Sequence, residues 1–482
     1  MKLRPAIFLL LLTAGAFLVQ GYHPWAEDAA YYIPPVIKLL HPSSYPYGAE
    51  FFESHASLTL FPNLMAASVR ISHLPLDVVL LAWQALCMYL FLLGCWKVAG
   101  LCFEEQHARW CAVTLEAALL TLPVAGTALF LMDQFVNPRS FSAFAAMFAV
   151  AAALENRYVA AVLWLLGAGL IHPLMPAYGI FFVALLAWYR PRETQAMAAA
   201  ASLLVLGITF GPPTQAYHQA TLAHSYHYVQ RWPWYGWLGI LAPVALFYWF
   251  AVLARNRGMK NVERLCRSLV PFVLVSLAAA LVLDLPQRYE ALARFQPMRS
   301  LHLAYALLVL LLGGMAGQFV LKRRAARWVL LFVPLCAGMT YVQLRLFPDS
   351  AHIEWPGASR GNEWVQAFDW IRRNTPRDAY FAMDPMYMER PGEDEQSFRA
   401  IAQRSSLADE VKDSGSVTMF PELAEEWWEQ VSALEGWKKF QAGDFSKLKA
   451  RFGIDWVILE QPGVPGLACP YRNSRILVCR VS

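Results

Sequence analysis

The sequence predicts a mainly α protein: a polytopic transmembrane helical bundle of about eleven helices with a small extracytoplasmic α/β domain at its C-terminal end. Three observations predict it. Of 482 residues, 57% are hydrophobic and only 16% charged, against about 25% charged in soluble domains, and the mean hydropathy is +0.37. Apolar runs of membrane length recur through residues 1–345. From residue 346 the composition turns mixed polar, acidic and aromatic.

A spanning helix needs about 20 mainly apolar residues, with a range of roughly 17–25. Such runs fall near residues 4–20, 76–99, 110–131, 140–154, 158–172, 174–189, 195–211, 236–254, 267–285, 301–321 and 327–345. The fourth to sixth are short, and His172-Pro173 and Pro176 interrupt them. Broken spans of this kind suit re-entrant segments or helices buried by neighbours. Lys2 and Arg4, Arg157, Arg190 and Arg192, the group Arg255 to Arg267, and the group Lys322 to Arg327 all fall on one side in this count. The positive-inside rule makes that side cytoplasmic. The N-terminus is then cytoplasmic, and 21–75, 132–139, 211–235, 286–300 and the tail lie outside. No small-x-small cleavage site precedes Gly21, so the first segment reads as a retained helix rather than a signal peptide. The expected domains are a transmembrane domain over 1–345, with a long first outer loop at 21–75, and a soluble extracytoplasmic domain over 346–482.

In the tail, Trp364, Phe368 and Ile371 have helical spacing, and Asn374-Thr375-Pro376 ends that helix. Residues 378–383 and 475–480 read as strands, and Trp456 to Leu459 as a buried one. Asp444 to Phe452 reads as a helix with Asp444 as its N-cap. Six of the eight cysteines lie in or beside apolar runs and read as small buried hydrophobes. Cys469 and Cys479 either bridge, in an oxidising compartment, or remain two thiols.

The most informative residues are Glu27 and Asp28, directly after the first span. Ionised groups near hydrocarbon are costly unless partnered or functional. A carboxylate at the membrane face serves as a general base for an incoming hydroxyl or holds a divalent cation against a phosphate. It equally suits capping of the helix expected over Ala29 to Leu40. The loop also carries His23, His41, His55 and His73, whose spacing fits no compact metal motif. Asp133 and Arg139 in the next outer loop suit either a phosphate contact or a mutual ion pair. His172 either lines a cavity at a broken helix or packs in the core. The aromatics of 212–235 suit a membrane belt or a groove for lipid or sugar. Arg288, Arg294 and Arg299 lie on the outer side, against the charge rule. A lipid-linked phosphate would account for them, because Arg binds phosphate by forked hydrogen bonds. Pairing with Asp284, Glu290 or the tail is the alternative.

With Trp25-Ala26-Glu27-Asp28 after the first span, an outer C-terminal domain and a basic late outer loop, the chain resembles the type C glycosyltransferases. These are polytopic enzymes that use polyprenyl-phosphate-linked sugars. The phrases GYHPWAEDAAYY, LIHPLMP, FQPMRSLHL and DWVILE also resemble an uncharacterised group of bacterial membrane proteins. The first resemblance implies an integral membrane glycosyltransferase of the hexosyl- or pentosyltransferase type, in a bacterial inner membrane. Asp28 or Glu27 would be catalytic. Arg299, Arg294 and Arg288, with His172, Asp133 and Arg139, would bind substrate. The implied partners are a polyprenyl-phosphate-linked sugar, membrane lipid and an extracytoplasmic acceptor (glycan, lipid or protein), with no nucleic acid. The family's second-loop aspartate motif is met only by Asp133, so Mg²⁺ or Mn²⁺ dependence stays open and no metal ligand is assigned. A non-catalytic scaffold of the same architecture, or a transporter of a lipid-linked solute, are the alternatives. Few charges within the spans and no inverted repeat argue against transport.

Overall fold

The computed structural model describes residues 5–189, 213–283, 290, 292, 294–358, 361–390 and 393–481. The expected span at 195–211, and Lys2, Arg4, Arg190, Arg192, Asp284 and Arg288, lie outside the described residues. In chain order the helices are α1 (Pro5–Gln20), α2 (Ala29–Leu40), α3 (Glu50–Ala56), α4 (Phe61–Ser72), α5 (Leu76–Cys102), α6 (Gln106–Ala118), α7 (Pro138–Leu154), α8 (Tyr158–Gly169), α9 (Leu174–Trp188), α10 (Gln215–Ala223), α11 (Trp234–Asn256), α12 (Lys260–Leu283), α13 (Leu301–Met315) and α14 (Ala325–Leu346). The tail adds α15 (Glu363–Asn374), α16 (Phe398–Ala402), α17 (Asp413–Met419), α18 (Ala424–Ala433) and α19 (Ala442–Phe452).

Among the described residues five helical segments are long and apolar enough to cross a membrane: α5, α11, α12, Pro297–Leu321 (which contains α13) and α14. The chain is thus a multi-pass membrane protein. The expected count of about eleven spans is not reached by this measure, because α1, α7, α8 and α9 are apolar but shorter. The expected span at 110–131 is a correction. Helix α6 stops at Ala118, and residues 119–137 run irregularly, with a bridge between Pro123 and Phe130. Pro123 lacks an amide donor. Ala125 and Ala128 take positive φ. Gly126 lies under Trp232, where a Cβ would come within 2.4 Å of the indole. The expected helical run ignored these breakers.

Two compact units result. The first comprises Met1–Gly21, Ala82–Pro213 and Ser225–Val342. Its core is one cluster of aliphatic and aromatic side chains from the bundle. Helices α6 and α13 approach closely because α13 and the turn after it carry Gly313 and Gly317, four residues apart. A Cβ on Gly313 would lie 2.8 Å from Ala112 Cα, and one on Gly317 2.8 Å from Ala108 Cα. Small residues at this spacing let helix backbones meet, where dispersion supplies the attraction. This contact fixes α13, whose N-terminal end carries the polar residues described below.

The second unit comprises Tyr22–Leu81, Thr214–His224 and Gln343–Ser482, so residues join by fold rather than by chain order. Its five-stranded sheet has the order β2-β1-β3-β5-β4, with β1 (Tyr380–Ala382), β2 (Ser405–Ser406), β3 (Trp456–Glu460), β4 (Ala468–Arg472) and β5 (Ile476–Arg480). Strands β1, β2 and β3 are parallel; β5 is antiparallel to β3 and β4. Strand β3 is buried through Trp456–Leu459 because helices cover both faces. Val457 and Leu459 pack with Phe445 and Leu448 of α19. Trp456 on the other face meets Trp370 of α15. Helix α15 ends at Asn374, as the Asn-Thr-Pro sequence requires. Helix α19 starts two residues earlier than expected. Gln441 is its N-cap and Asp444 the reciprocal partner of a capping box, not the cap. Cys469 and Cys479 form a disulfide between adjacent strands. A further cluster ties Phe51 of the first loop and Ala216, Tyr217 and Ala220 of α10 to Val417, Trp427 and Val431 of the tail.

Candidate functional site

In the membrane unit the polar residues gather where the irregular segment 119–137 meets the start of α13. Asn137 caps α7, accepting from the amides of Arg139 and Ser140 at 3.0 and 3.3 Å, and Pro138 follows at the first helical position. The cap sets Arg139 facing back onto Asp133, whose Oδ2 accepts from Arg139 Nη2 at 2.8 Å and from Asn137 Nδ2 at 2.5 Å. Both ionic partners are buried. Asp133 and Arg139 therefore form the ion pair that was one of their two expected roles. The imidazole of His302 donates from Nε2 to the carbonyl of Leu131 at 2.9 Å. Asp133, Arg139 and Arg299 all lie within electrostatic reach of His302.

Arg299 closes a small cleft with Ser142, Met175, Tyr178, Ser300 and His302. The buried hydroxyls of Ser142 and Ser300 and the Nε of Arg299 have no hydrogen-bond partner among the described residues. Among the described residues Arg299 makes no ion pair; its guanidinium stands 5.8 Å from the ring of Tyr226. Three such donor atoms lining one cleft suit an anion. His172 is adjacent in a supporting sense: its Nδ1 accepts from the amide of Met175 at 3.3 Å, capping α9, while Met175 lines the cleft. Arg294 does not line this cleft; its guanidinium lies 5.6 Å from the ring of Phe295.

Helix α7 presents a second surface. Ser142 and Ala146 face the cleft. Phe141, Phe144 and Ala145 face an apolar groove of about 480 Å³ completed by Leu163 and Trp164 of α8 and by Ile171. Polar cleft and apolar groove thus share one helix, and they meet again at the turn 171–175.

The acidic pair belongs to the second unit. The backbone of Trp25 to Glu27 runs against residues 395–397: Glu27 N–H donates to Glu395 O at 2.9 Å, Ser397 N–H donates to Trp25 O at 2.8 Å, and Ala26 bridges Gln396. Glu27 and Glu395 both hold φ of 50°, a left-handed conformation that costs a non-glycine residue free energy and collects at functional sites. Asp28 stands at the N-cap of α2, but its side chain makes no cap bond. Lys412 Nζ instead donates to Asp28 Oδ1 at 3.3 Å. Burial holds the Glu395 carboxyl above the usual carboxylate range; Lys412 opposes this, and Glu389 and Asp28 add to it. Tyr31 donates its hydroxyl proton to the carbonyl of Lys412. Gly415 makes room for that contact, since a Cβ there would lie 2.2 Å from the Tyr31 oxygen.

Behind Lys412, Arg399 makes a forked pair with Asp413, at 2.6 and 2.8 Å. Asp409 accepts from the amides of Lys412 and Asp413. Desolvation, with Asp413 beside it, pushes Asp409 up to about 7 against the pull of Arg399. The loop histidines are placed separately. His23 meets Glu354 at 3.0 Å, His41 caps α2, His55 stacks on Tyr31, and His73 ends α4 in a left-handed turn. Among the described residues no group of three or more His, Cys, Asp or Glu side chains is placed to hold a metal ion.

Sequence reasoning missed Lys412, Glu395 and Tyr31, because partners so distant in sequence carry no spacing signal. It also missed Ser142, Ser300 and His302. The last two lie in the phrase FQPMRSLHL beside Arg299, and the Asn-Pro start of α7 was a legible signal for the geometry around Asp133.

A family model described as a domain of unknown function (DUF6798) matches residues 362–434. No curated protein matches the chain. Among solved structures, the chain is similar to the archaeal oligosaccharyltransferase AglB from Archaeoglobus fulgidus, in complex with an inhibitory peptide and a dolichol-phosphate. The identity is 11%, the TM-score 0.42, and the match covers 94% of this chain and 69% of that chain.

Proposed function

We propose that this protein is an integral membrane glycosyltransferase that moves a sugar from a polyprenyl-phosphate donor to an extracytoplasmic acceptor. The observation that supports this reading most is the pairing along α7 of a cleft with unfilled buried donors and a wide apolar groove. That combination matches an amphiphile with an anionic head and a long hydrocarbon tail. In this reading Arg299, Ser300 and Ser142 take the phosphate, and Phe141, Phe144 and Trp164 take the first isoprene units. Asp133 and Arg139 are positioning residues, holding the start of α7 and the Leu131 carbonyl that orients His302.

Asp28 is the proposed base. It takes the proton of the acceptor hydroxyl while that oxygen bonds to the anomeric carbon. The bond from that carbon to the phosphate oxygen breaks, and its electron pair leaves with the lipid phosphate. Lys412 orients the carboxylate. Glu27 supplies the constrained backbone that presents it.

The test is sugar transfer by the purified full chain in nanodiscs, with a set of polyprenyl-phosphate sugars as donors and Asp28→Asn and Glu27→Gln beside the wild type. Wild-type transfer that disappears with Asp28→Asn supports the reading. Transfer that survives both substitutions removes the role of the pair, and no transfer from any donor removes the activity.

A further inference from the structure

A cleft in the second unit has no role in the chemistry above. Its walls are Tyr22, Trp25 and Trp355, with Pro24 and Pro356 at their flanks, and its polar groups are Asp77, Glu354 and Asn362. Trp355 is 57% exposed, whereas Tyr22 and Trp25 are buried. A large exposed indole over a polar cleft is unusual, since aromatic faces gain most when covered. The floor is a rigid polar network. Glu354 accepts from Gln396 at 3.4 Å and meets His23 at 3.0 Å. Ser350 and Asn362 donate to Asp394 at 2.6 and 2.9 Å. Buried networks of this kind fix side chains in place before any ligand arrives.

The chemistry of the walls selects the ligand. Among the described residues the lining includes two carboxylates and no Lys or Arg, a composition that suits a neutral polyhydroxyl ligand better than an anion. Carboxylates and a side-chain amide suit hydroxyl donors and acceptors, and an indole face suits the apolar C–H face of a pyranose ring. We infer that this cleft binds a saccharide through Trp355, Trp25, Asp77 and Glu354.

Assigning that saccharide as the acceptor rests on the transferase reading; its binding does not. Trp25 and Asp28 are three residues apart, so their Cα atoms lie within about 11 Å. The hydrogen bonds to residues 395–397 hold the backbone between them. A saccharide touching Trp25 would therefore lie against the same tethered stretch of chain that carries the proposed base.

The experiment is saturation-transfer NMR on the full chain in nanodiscs, without donor. The probes are chitotriose, maltotriose and mannotriose, with inorganic phosphate and ethanolamine as contrasts. At least one trisaccharide is expected to bind, and Trp355→Ala to weaken it about tenfold, while Trp355→Phe retains part of the affinity. Trp428→Ala, at another partly exposed indole of the unit, is expected to leave binding unchanged. The inference is overturned if no trisaccharide binds, if binding ignores Trp355→Ala, or if ethanolamine is the ligand whose binding needs Trp355. Saccharide binding without transfer from any donor would remove the transferase reading and keep the cleft. Transfer without saccharide binding would do the reverse.

Discussion

Arg399 of the second unit donates to both oxygens of Asp413 and is 5% exposed, whereas Arg299 of the membrane unit has an Nε that donates to nothing and makes no ion pair among the described residues. A buried charge is tolerable when a partner and hydrogen bonds repay its desolvation. Arg399 meets that condition within the fold. Arg299 is half-buried, and its enclosed Nε has no partner among the described residues, so an entering anion would supply the bond that this nitrogen lacks. The contrast separates side chains that hold the protein together from those held ready for a ligand.

The largest expected effect tests the first half of that contrast. Arg399→Ala leaves Asp413 as an uncompensated buried charge and should cost about 3–5 kcal/mol, seen as a large drop in the thermal midpoint by tryptophan fluorescence. A paired Arg399→Met, Asp413→Leu variant should recover most of that loss. Unchanged melting of Arg399→Ala would erase the distinction. Next comes Asp28→Asn, which removes the proposed base and should lower transfer by about 10²–10⁴-fold with little change in melting, because Asp28 makes no cap bond to α2. A melting loss as large as that of Arg399→Ala would make Asp28 structural.

Arg299→Ala tests the other half. Hydrogen bonds to charged groups contribute about 1.5–3 kcal/mol, so affinity for polyprenyl phosphate should fall about 10- to 100-fold. The midpoint without ligand should stay level or rise slightly, since the substitution removes a half-buried guanidinium whose enclosed Nε has no partner among the described residues. Arg299→Lys keeps the charge but not the fork and should fall between. If Arg299→Ala instead destabilises the empty protein, the guanidinium is already satisfied and the contrast with Arg399 is lost.

What the sequence disclosed follows the same division. Many helix positions followed from apolar runs, and three of the five tail strands (β1, β3 and β5) from β-branched and aromatic runs, because both signals are local; the short β2 and the half-exposed β4 carry no such run. The acidic pair and Arg299 stood out because charge beside hydrocarbon is conspicuous in one dimension. Their partners did not. Lys412 is 384 residues from Asp28, and nothing in its own segment marks it. The irregular stretch 119–137 was misjudged because Pro123 and the glycine under Trp232 were outvoted by hydropathy. The grouping of the first loop with the tail depends on contacts such as Phe51 with Val417, which no local pattern encodes.

The smallest effect expected is a pH dependence centred on Asp409, beside the Arg399 pair. Its carboxyl is pushed up to about 7 in the fold from 3.8. Between those values the folded state holds a proton that the unfolded chain has released, so stability falls as pH rises through this window. The contribution is fully present below the unfolded value and is lost once pH passes about 7. Glu395 and Glu410 are raised by burial too and add slope of the same sign. Asp409→Asn keeps an oxygen for the amides of Lys412 and Asp413 but cannot titrate. The difference in thermal midpoint between pH 5 and pH 8 should therefore narrow in the variant, and more through relief at pH 8 than through loss at pH 5. An undiminished difference would mean that Arg399 keeps Asp409 ionised throughout. Arg399 would then be shared by two carboxylates, and its contrast with Arg299 would be sharper still.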